Sequence, residues 1–230
     1  MSPLSLFLSL FLFFSLFFAD VVFSHRVVSA SFGSWVAFWN ISAATSLQLP
    51  IFLLSFGAIL VLGFSRSTPQ SALWRSSVLM AFGFLQGIFV SPLIATVSAT
   101  DPSIPLKAFL LTVLVFACFS LSALLNTSRA YLYASSMIGA ALMGLLALAV
   151  MNSVVQTPAM QNVYLFGGLL LFAFFVAFDT QIIIERALCG DSDSVNSALD
   201  LFLDALNIFI RIMLILNNNK KSQGGGSSIV

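Results

Sequence analysis

The sequence predicts an all-α, polytopic membrane protein. Three observations carry this. Of the 230 residues, 60% are hydrophobic and only 7% are charged, against roughly 25% charged in soluble domains. That is too little polar surface to face water. Apolar runs approaching the roughly 20 residues needed to cross a bilayer recur along the chain, and the segments between them are short and turn-like. Six or seven spans use roughly 120 to 140 residues, leaving loops and tails but no room for a separate globular domain. The alternating ten-residue strands of a membrane barrel are not seen in the sequence.

The elements follow in order. Residues 3–19 are a Phe/Leu-rich run without charge; Asp20, His25 and Arg26 follow, then a second apolar stretch at 27–39. Arg26 in the middle of one continuous membrane helix would cost about 2.5–3.5 kcal/mol unless it snorkelled or paired, so a first span is expected either before or after it. A secretory signal has this length but carries a basic leader, and none precedes this run. Residues 1–26 are therefore read as an altered first helix or a signal-like segment. Further spans are expected at 49–65, 78–98, 107–125, 131–153, 162–184 and 198–216. Between them lie Ser65–Pro69, Thr100–Ser103, Asn126–Arg129 and Gly190–Asp193, polar turns that make antiparallel hairpins. Residues 218–230 read as a flexible polar tail.

Loop charges give an orientation. Arg66, Arg75 and Arg129 put the 66–75, 126–130 and 185–197 loops on the cytoplasmic side. The last segment conflicts with this. If it crosses fully, Lys220 and Lys221 end on the far side, and if it re-enters they stay cytoplasmic. The sequence leaves both open.

Other classes are excluded by composition. A net charge of +1 gives no field for gripping nucleic acid. Cys118 and Cys189 are too few for a disulfide scaffold, and Cys118 sits in an apolar run where a small core residue is expected. A single histidine, His25, argues against a histidine-based metal site.

Six of the eight acidic residues fall between 179 and 204. Asp191 and Asp193 lie in a loop and are expected to be solvated. Asp179 follows the apolar run Tyr164–Phe178 and precedes Ile182–Ile184, so it lies within a span. Asp200 and Asp204 are four residues apart and share a helix face, which Asn207 and Arg211 continue. Leu201, Phe202, Leu206, Phe209 and Met213 occupy the other side. The polar stripe must turn toward helices or a water-filled cavity, because intramembrane ionisable groups are costly in lipid. Two carboxylates about 4 Å apart repel by about 4 kcal/mol at an effective dielectric of 20, so such a pair shares one proton or takes a cation, titrating as a unit. Arg211 nearby would oppose this by favouring the ionised forms. A structural role for Asp204 and Arg211, binding helices together, is the plainer alternative.

These residues resemble a known family. Phe178-Asp179-Thr180-Gln181 through Glu185, Gly190-Asp191, and Asp200-Leu201-Phe202-Leu203-Asp204 are similar to the Bax inhibitor family of membrane proteins. So are Gly87, Pro92-Leu93-Ile94, Asp101–Ile104, Ala108-Phe109, Cys118–Ser120 and Tyr131–Tyr133. The likeness spans roughly 27–217. It implies a bundle of six helices around a central acidic seventh, an endoplasmic reticulum membrane location, restraint of cell death and a pH-sensitive calcium leak. It places the pH sensor and gate on Asp179 and Asp204, with the same pair as a calcium site. Arg75 matches a basic residue before the third helix of relatives, and Asp200 an acidic position of some members; with Arg211 they form a supporting polar network. No cofactor is implied, calcium being the transported ion. The implied partners are the lipid bilayer, calcium and membrane proteins of cell-death regulation. The apolar 3–19 run and the two-lysine tail depart from the family, whose members often end in many lysines.

The proposed gate is a shared proton that bridges two helices and holds the path closed, with calcium entering when it leaves. Three other readings compete. An intramembrane aspartyl protease also needs two aspartates, but no Gly-x-Gly-Asp motif is present; a serine protease would need a histidine in a span. A proton-coupled transporter would use the aspartates as a relay, without the paired broken helices of such proteins. A non-conducting regulator would share the fold and act through partners. Asn40-Ile41-Ser42 and Asn126-Thr127-Ser128 are glycosylation sequons, Ser228-Ile229-Val230 resembles a C-terminal ligand of a PDZ-type groove, and Gly139 and Gly144 are expected helix-packing points.

Overall fold

The computed structural model describes residues 41–65, 71–125, 135–155, 157–190 and 193–225. The expectations for the first span, His25, Arg66, Arg129, Tyr131–Tyr133, Asp191, the two sequons as wholes and the C-terminal ligand motif lie outside them. Every regular element among the described residues is an α-helix: α1 (Ile41–Phe64), α2 (Ala72–Thr100), α3 (Ile104–Leu125), α4 (Ser135–Val155), α5 (Pro158–Leu188) and α6 (Ser194–Gly225). Leu73–Thr100, Ile104–Leu125 and Pro158–Leu188 are long and apolar enough to cross a membrane; Pro50–Phe64 and Met137–Met151 are shorter apolar helices. The chain is a multi-pass, all-α membrane protein, as the sequence predicts.

Two compact units are distinguished. One comprises Met1–Thr96 with Asp193–Leu199, the other Val97–Ser192 with Asp200–Val230. Within the first, the rings of Phe52 in α1 and Phe89 in α2 meet at 6.5 Å. Within the second, α5 packs on both α3 and α4. The stripe of α3 that is buried steps by three and four: Ala108, Thr112, Phe116, Ser120, Ala123. Phe119 of α3 and Phe174 of α5 meet edge to face at 5.9 Å. The outer faces stay apolar, with Leu110, Leu114 and Leu121 of α3 and Phe166, Leu170 and Phe174 of α5 exposed. In water such a patch marks an interaction surface; on a spanning helix it is the side for lipid.

Local signals set the ends of α5. Thr157 has an extended backbone and its hydroxyl accepts from the Met160 amide, and Pro158 occupies the first turn, where its missing N–H costs nothing. At the other end Gly190, at φ +79°, supplies the left-handed residue that stops the helix. Asp193 caps α6: its Oδ1 accepts from the Asn196 amide at 3.3 Å and its carbonyl accepts from the Ser197 hydroxyl at 2.9 Å.

Helices α5 and α6 run antiparallel. Asp179 faces Asp204, and further along Tyr164 meets Arg211. The unbroken helix then carries Lys220 to Asp101, at the turn before α3, with Nζ 3.5 Å from Oδ2. The last helix therefore traverses the whole length of α5 rather than re-entering, and the two lysines finish at the end that carries the 101–103 turn. Residues 218–225, expected as flexible tail, are helical.

Two smaller expectations are corrected. A Cβ at Gly139 or Gly144 would meet nothing within 4 Å, whereas one at Gly168, on α5, would overlap the Arg211 guanidinium. Cys118 is exposed, not a core residue, because the buried stripe of α3 passes through Phe116 and Ser120 on either side of it.

The path of α6 predicts a labelling pattern. With Cys118 replaced by serine, native Cys189 and a cysteine introduced at Ser222, both sites exposed, react with impermeant maleimide from opposite sides of a sealed vesicle. Thr100→Cys labels from the same side as Ser222→Cys. Labelling of Cys189 and position 222 from one side would show that α6 does not cross.

Candidate functional site

The site is a polar seam between α5 and α6. The carboxyl groups of Asp179 and Asp204 lie within hydrogen-bonding reach of each other, with the charge of Asp200 close to both. Asp204 is 5% exposed and Asp179 is half-buried. Asp204 Oδ2 is buried without a hydrogen-bond partner. Two acidic groups this close can share one proton and titrate as a unit. Without that proton, two negative charges face each other in a medium that screens them poorly, and a cation is the alternative occupant. Among the described residues no group of three or more His, Cys, Asp or Glu side chains could hold a metal ion. A calcium ion takes six to eight oxygens, more than the two carboxyls supply.

The neighbours of Asp179 in the chain fix its place. The Thr180 hydroxyl donates to the Val176 carbonyl at 2.6 Å and lies 3.5 Å from the Ser120 hydroxyl on α3. The Gln181 side-chain amide donates to the Ala123 carbonyl, also on α3. Both residues are buried, and polar side chains bridging apolar helices resist rotation of α5 about its axis. The sequence placed both within the quoted motif without giving them a role; the available signal was a Thr-Gln pair inside an apolar run.

Arg211 does not pair with Asp204. Its Nη1 donates to the Tyr164 carbonyl at 2.9 Å, and its guanidinium carbon lies 4.5 Å from the Tyr164 ring centre and 5.2 Å from that of Phe172. Seven residues along α6 place it about 10 Å from Asp204, and two aromatic faces lie against it where a carboxylate could have been. Asn207, between the two, donates to its own helix at Leu203. Leu201, Phe202, Phe209 and Met213 are buried as well, so α6 is enclosed on both of its faces.

Arg75 has a different partner. It is 1% exposed, and its Nη2 donates to Asp193 Oδ2 at 2.8 Å. Asp193, expected to be solvated, is an ion-paired cap: its two oxygens serve the α6 amide end and the guanidinium together. Sequence separation of 118 residues hides this pairing.

A family model described as inhibitor of apoptosis-promoting Bax1 matches residues 6–221. The chain belongs to this family. Bax inhibitor 1 of Homo sapiens is 35% identical over 167 residues, covering 71% of this chain and 70% of the relative. Bax inhibitor 1 of Arabidopsis thaliana is 34% identical over 193 residues, covering 83% and 75%. A probable Bax inhibitor 1 of Paralichthys olivaceus is 36% identical over 162 residues, covering 70% and 68%. The match to the Bax inhibitor model contains every residue of the seam described above.

Two outcomes are expected at the ends of α6. Arg75→Met removes a charge-assisted hydrogen bond, worth about 1.5–3 kcal/mol, and strands Asp193; it should lower the unfolding temperature in detergent more than Asp193→Asn, which keeps the cap. An unchanged melting curve for Arg75→Met would show the pair to be idle. At the other end, the Ser103 amide and hydroxyl and Lys220 hold the Asp101 carboxyl below its ordinary 3.8. A depressed carboxylate stabilises the fold above its unfolded value, a contribution lost as pH falls through the folded one, so this turn stays intact down to pH 3.8. An NMR titration of Asp101 should find a midpoint under 3.8, and a midpoint at or above it contradicts the capped geometry.

Proposed function

We propose that the protein restrains cell death from the endoplasmic reticulum membrane by passing a slow, pH-gated calcium leak, with Asp179 and Asp204 as sensor and gate. The observation that carries this is the meeting of those two carboxyls on facing helices, with Asp200 one turn away. Membership of the Bax inhibitor family, described as inhibitors of apoptosis-promoting Bax1, supports the link to cell death. No enzymatic chemistry is assigned, and calcium is cargo.

The mechanism uses the chain's own groups. In the closed form a proton bridges Asp179 and Asp204 and ties α5 to α6 at that level. Its loss leaves two facing carboxylates, whose repulsion parts the helices or draws in a divalent cation. Thr180 and Gln181 hold α5 on α3, so the movement falls on α6. Asp200 adds a third negative charge beside the pair and favours entry of a cation from that end of the seam.

The test is calcium flux from proteoliposomes across a pH range from about 5 to 8, comparing the parent with Asp179→Asn and Asp204→Asn. The parent should leak with a pH dependence that either substitution flattens. If both variants keep the parental profile, the aspartates are structural. If nothing leaks at any pH, the non-conducting regulator acting through protein partners replaces the leak. Flux that occurs only with a counter-moving proton would instead mark a proton-coupled cation transporter.

A further inference from the structure

We propose that Arg211 is an electrostatic barrier in the seam, standing between the aspartate pair and the end of the molecule that carries Asp101 and Lys220, and that it sets the rate at which cations pass. This rests on the leak reading above and names what limits it. Three observations carry it.

The first is position. Along α6, Asp204, Arg211 and Lys220 follow one another, and seven and nine residues separate them by about 10 and 13 Å. Lys220 meets Asp101 at one end, so a cation travelling the seam between that end and the pair passes the level of the guanidinium.

The second is the notch that holds it. Tyr164, Gly168 and Phe172 lie four residues apart on one face of α5. The guanidinium sits over Gly168, where a Cβ would overlap it, and against both aromatic rings. The Tyr164 carbonyl accepts from Nη1. The charge is therefore drawn across the seam to the opposite helix instead of snorkelling to an interface as lone arginines near helix ends do.

The third is what it lacks. Arg211 is 5% exposed, has no carboxylate partner among the described residues, and its buried Nε has no hydrogen-bond partner. An arginine whose purpose is to fasten two helices is best served by a carboxylate. Here a carbonyl and two rings balance its desolvation without cancelling its charge, so the positive field extends along the seam. Repulsion doubles for a divalent cation and is strong where water is scarce; channels use a lone arginine in this way to exclude cations.

The full chain in proteoliposomes tests this, with calcium and chloride fluxes read separately in parent, Arg211→Gln, Arg211→Lys and Gly168→Ala. Removing the charge should raise calcium flux about tenfold or more and leave chloride flux no higher. Arg211→Lys, which keeps the charge but loses the planar fork, should lie much nearer the parent than Arg211→Gln. Gly168→Ala keeps the charge and displaces it from the notch, so calcium flux should rise there too. A rise shared by chloride means a structural breach and overturns the barrier, as does an Arg211→Gln rate equal to the parent's or a Gly168→Ala rate that does not move. No calcium flux from any of the four proteins overturns the leak reading and the barrier with it. A parental leak that Arg211→Gln leaves unchanged overturns the barrier alone.

Discussion

The structure depends on keeping ionisable groups out of lipid on a helix that must carry them. An aspartate or arginine at the centre of a bilayer costs several kcal/mol unless another group meets it. Asp204 and Arg211 are each 5% exposed, and each finds its complement on α5: a second carboxyl in one case, a carbonyl and two rings in the other. Those two meetings, about 10 Å apart along the axis, fix both the antiparallel sense and the register of α5 against α6. Any sliding of one helix by a turn would leave both groups unmatched.

The remaining polar contacts hold that register. Gly168 removes the one Cβ that would keep the guanidinium out. Thr180 and Gln181 tie α5 to α3 immediately after Asp179, so the pair forms on a helix anchored from behind. The ends of α6 are secured by charges of opposite sense. Asp193 at the N-terminal end suits the positive end of the helix dipole and a buried arginine at once. Lys220 near the C-terminal end reaches the Asp101 turn. Individually the exposed pair at Lys220 is weak, but it lies where a full crossing and a re-entrant turn differ most.

Two chemically different meetings share the face between α5 and α6. The Asp179–Asp204 meeting sets two acids against each other across the helices, whereas the Arg211 notch sets a cation against a carbonyl and two rings. The two lie on one seam, so a change at the first alters the space beside the second.

Much of this was legible in the residues. Composition determined the membrane class, because a chain with 7% charge cannot face water. The helical spans followed from run length, and the polar stripe of α6 from the spacing of Asp200, Asp204, Asn207 and Arg211. The motifs around Asp179 and Asp204 pointed to the Bax inhibitor family, which the match over 6–221 shows. Other features were not legible, and for one reason: they join residues that are far apart in the chain, and periodicity reports only a residue's own helix. Arg75 with Asp193, Arg211 with Gly168 and Tyr164, Gln181 with Ala123 and Lys220 with Asp101 all depend on which helix lies beside which. Gly139 and Gly144 resembled packing points because a small residue does not announce its neighbour, and Cys118 resembled core because an apolar run does not say which side faces lipid. The sequence by itself determined that charge would be buried on the last helix. Only the tertiary structure decided what meets each charge, because a buried ion is satisfied by whatever group the fold brings to it through space.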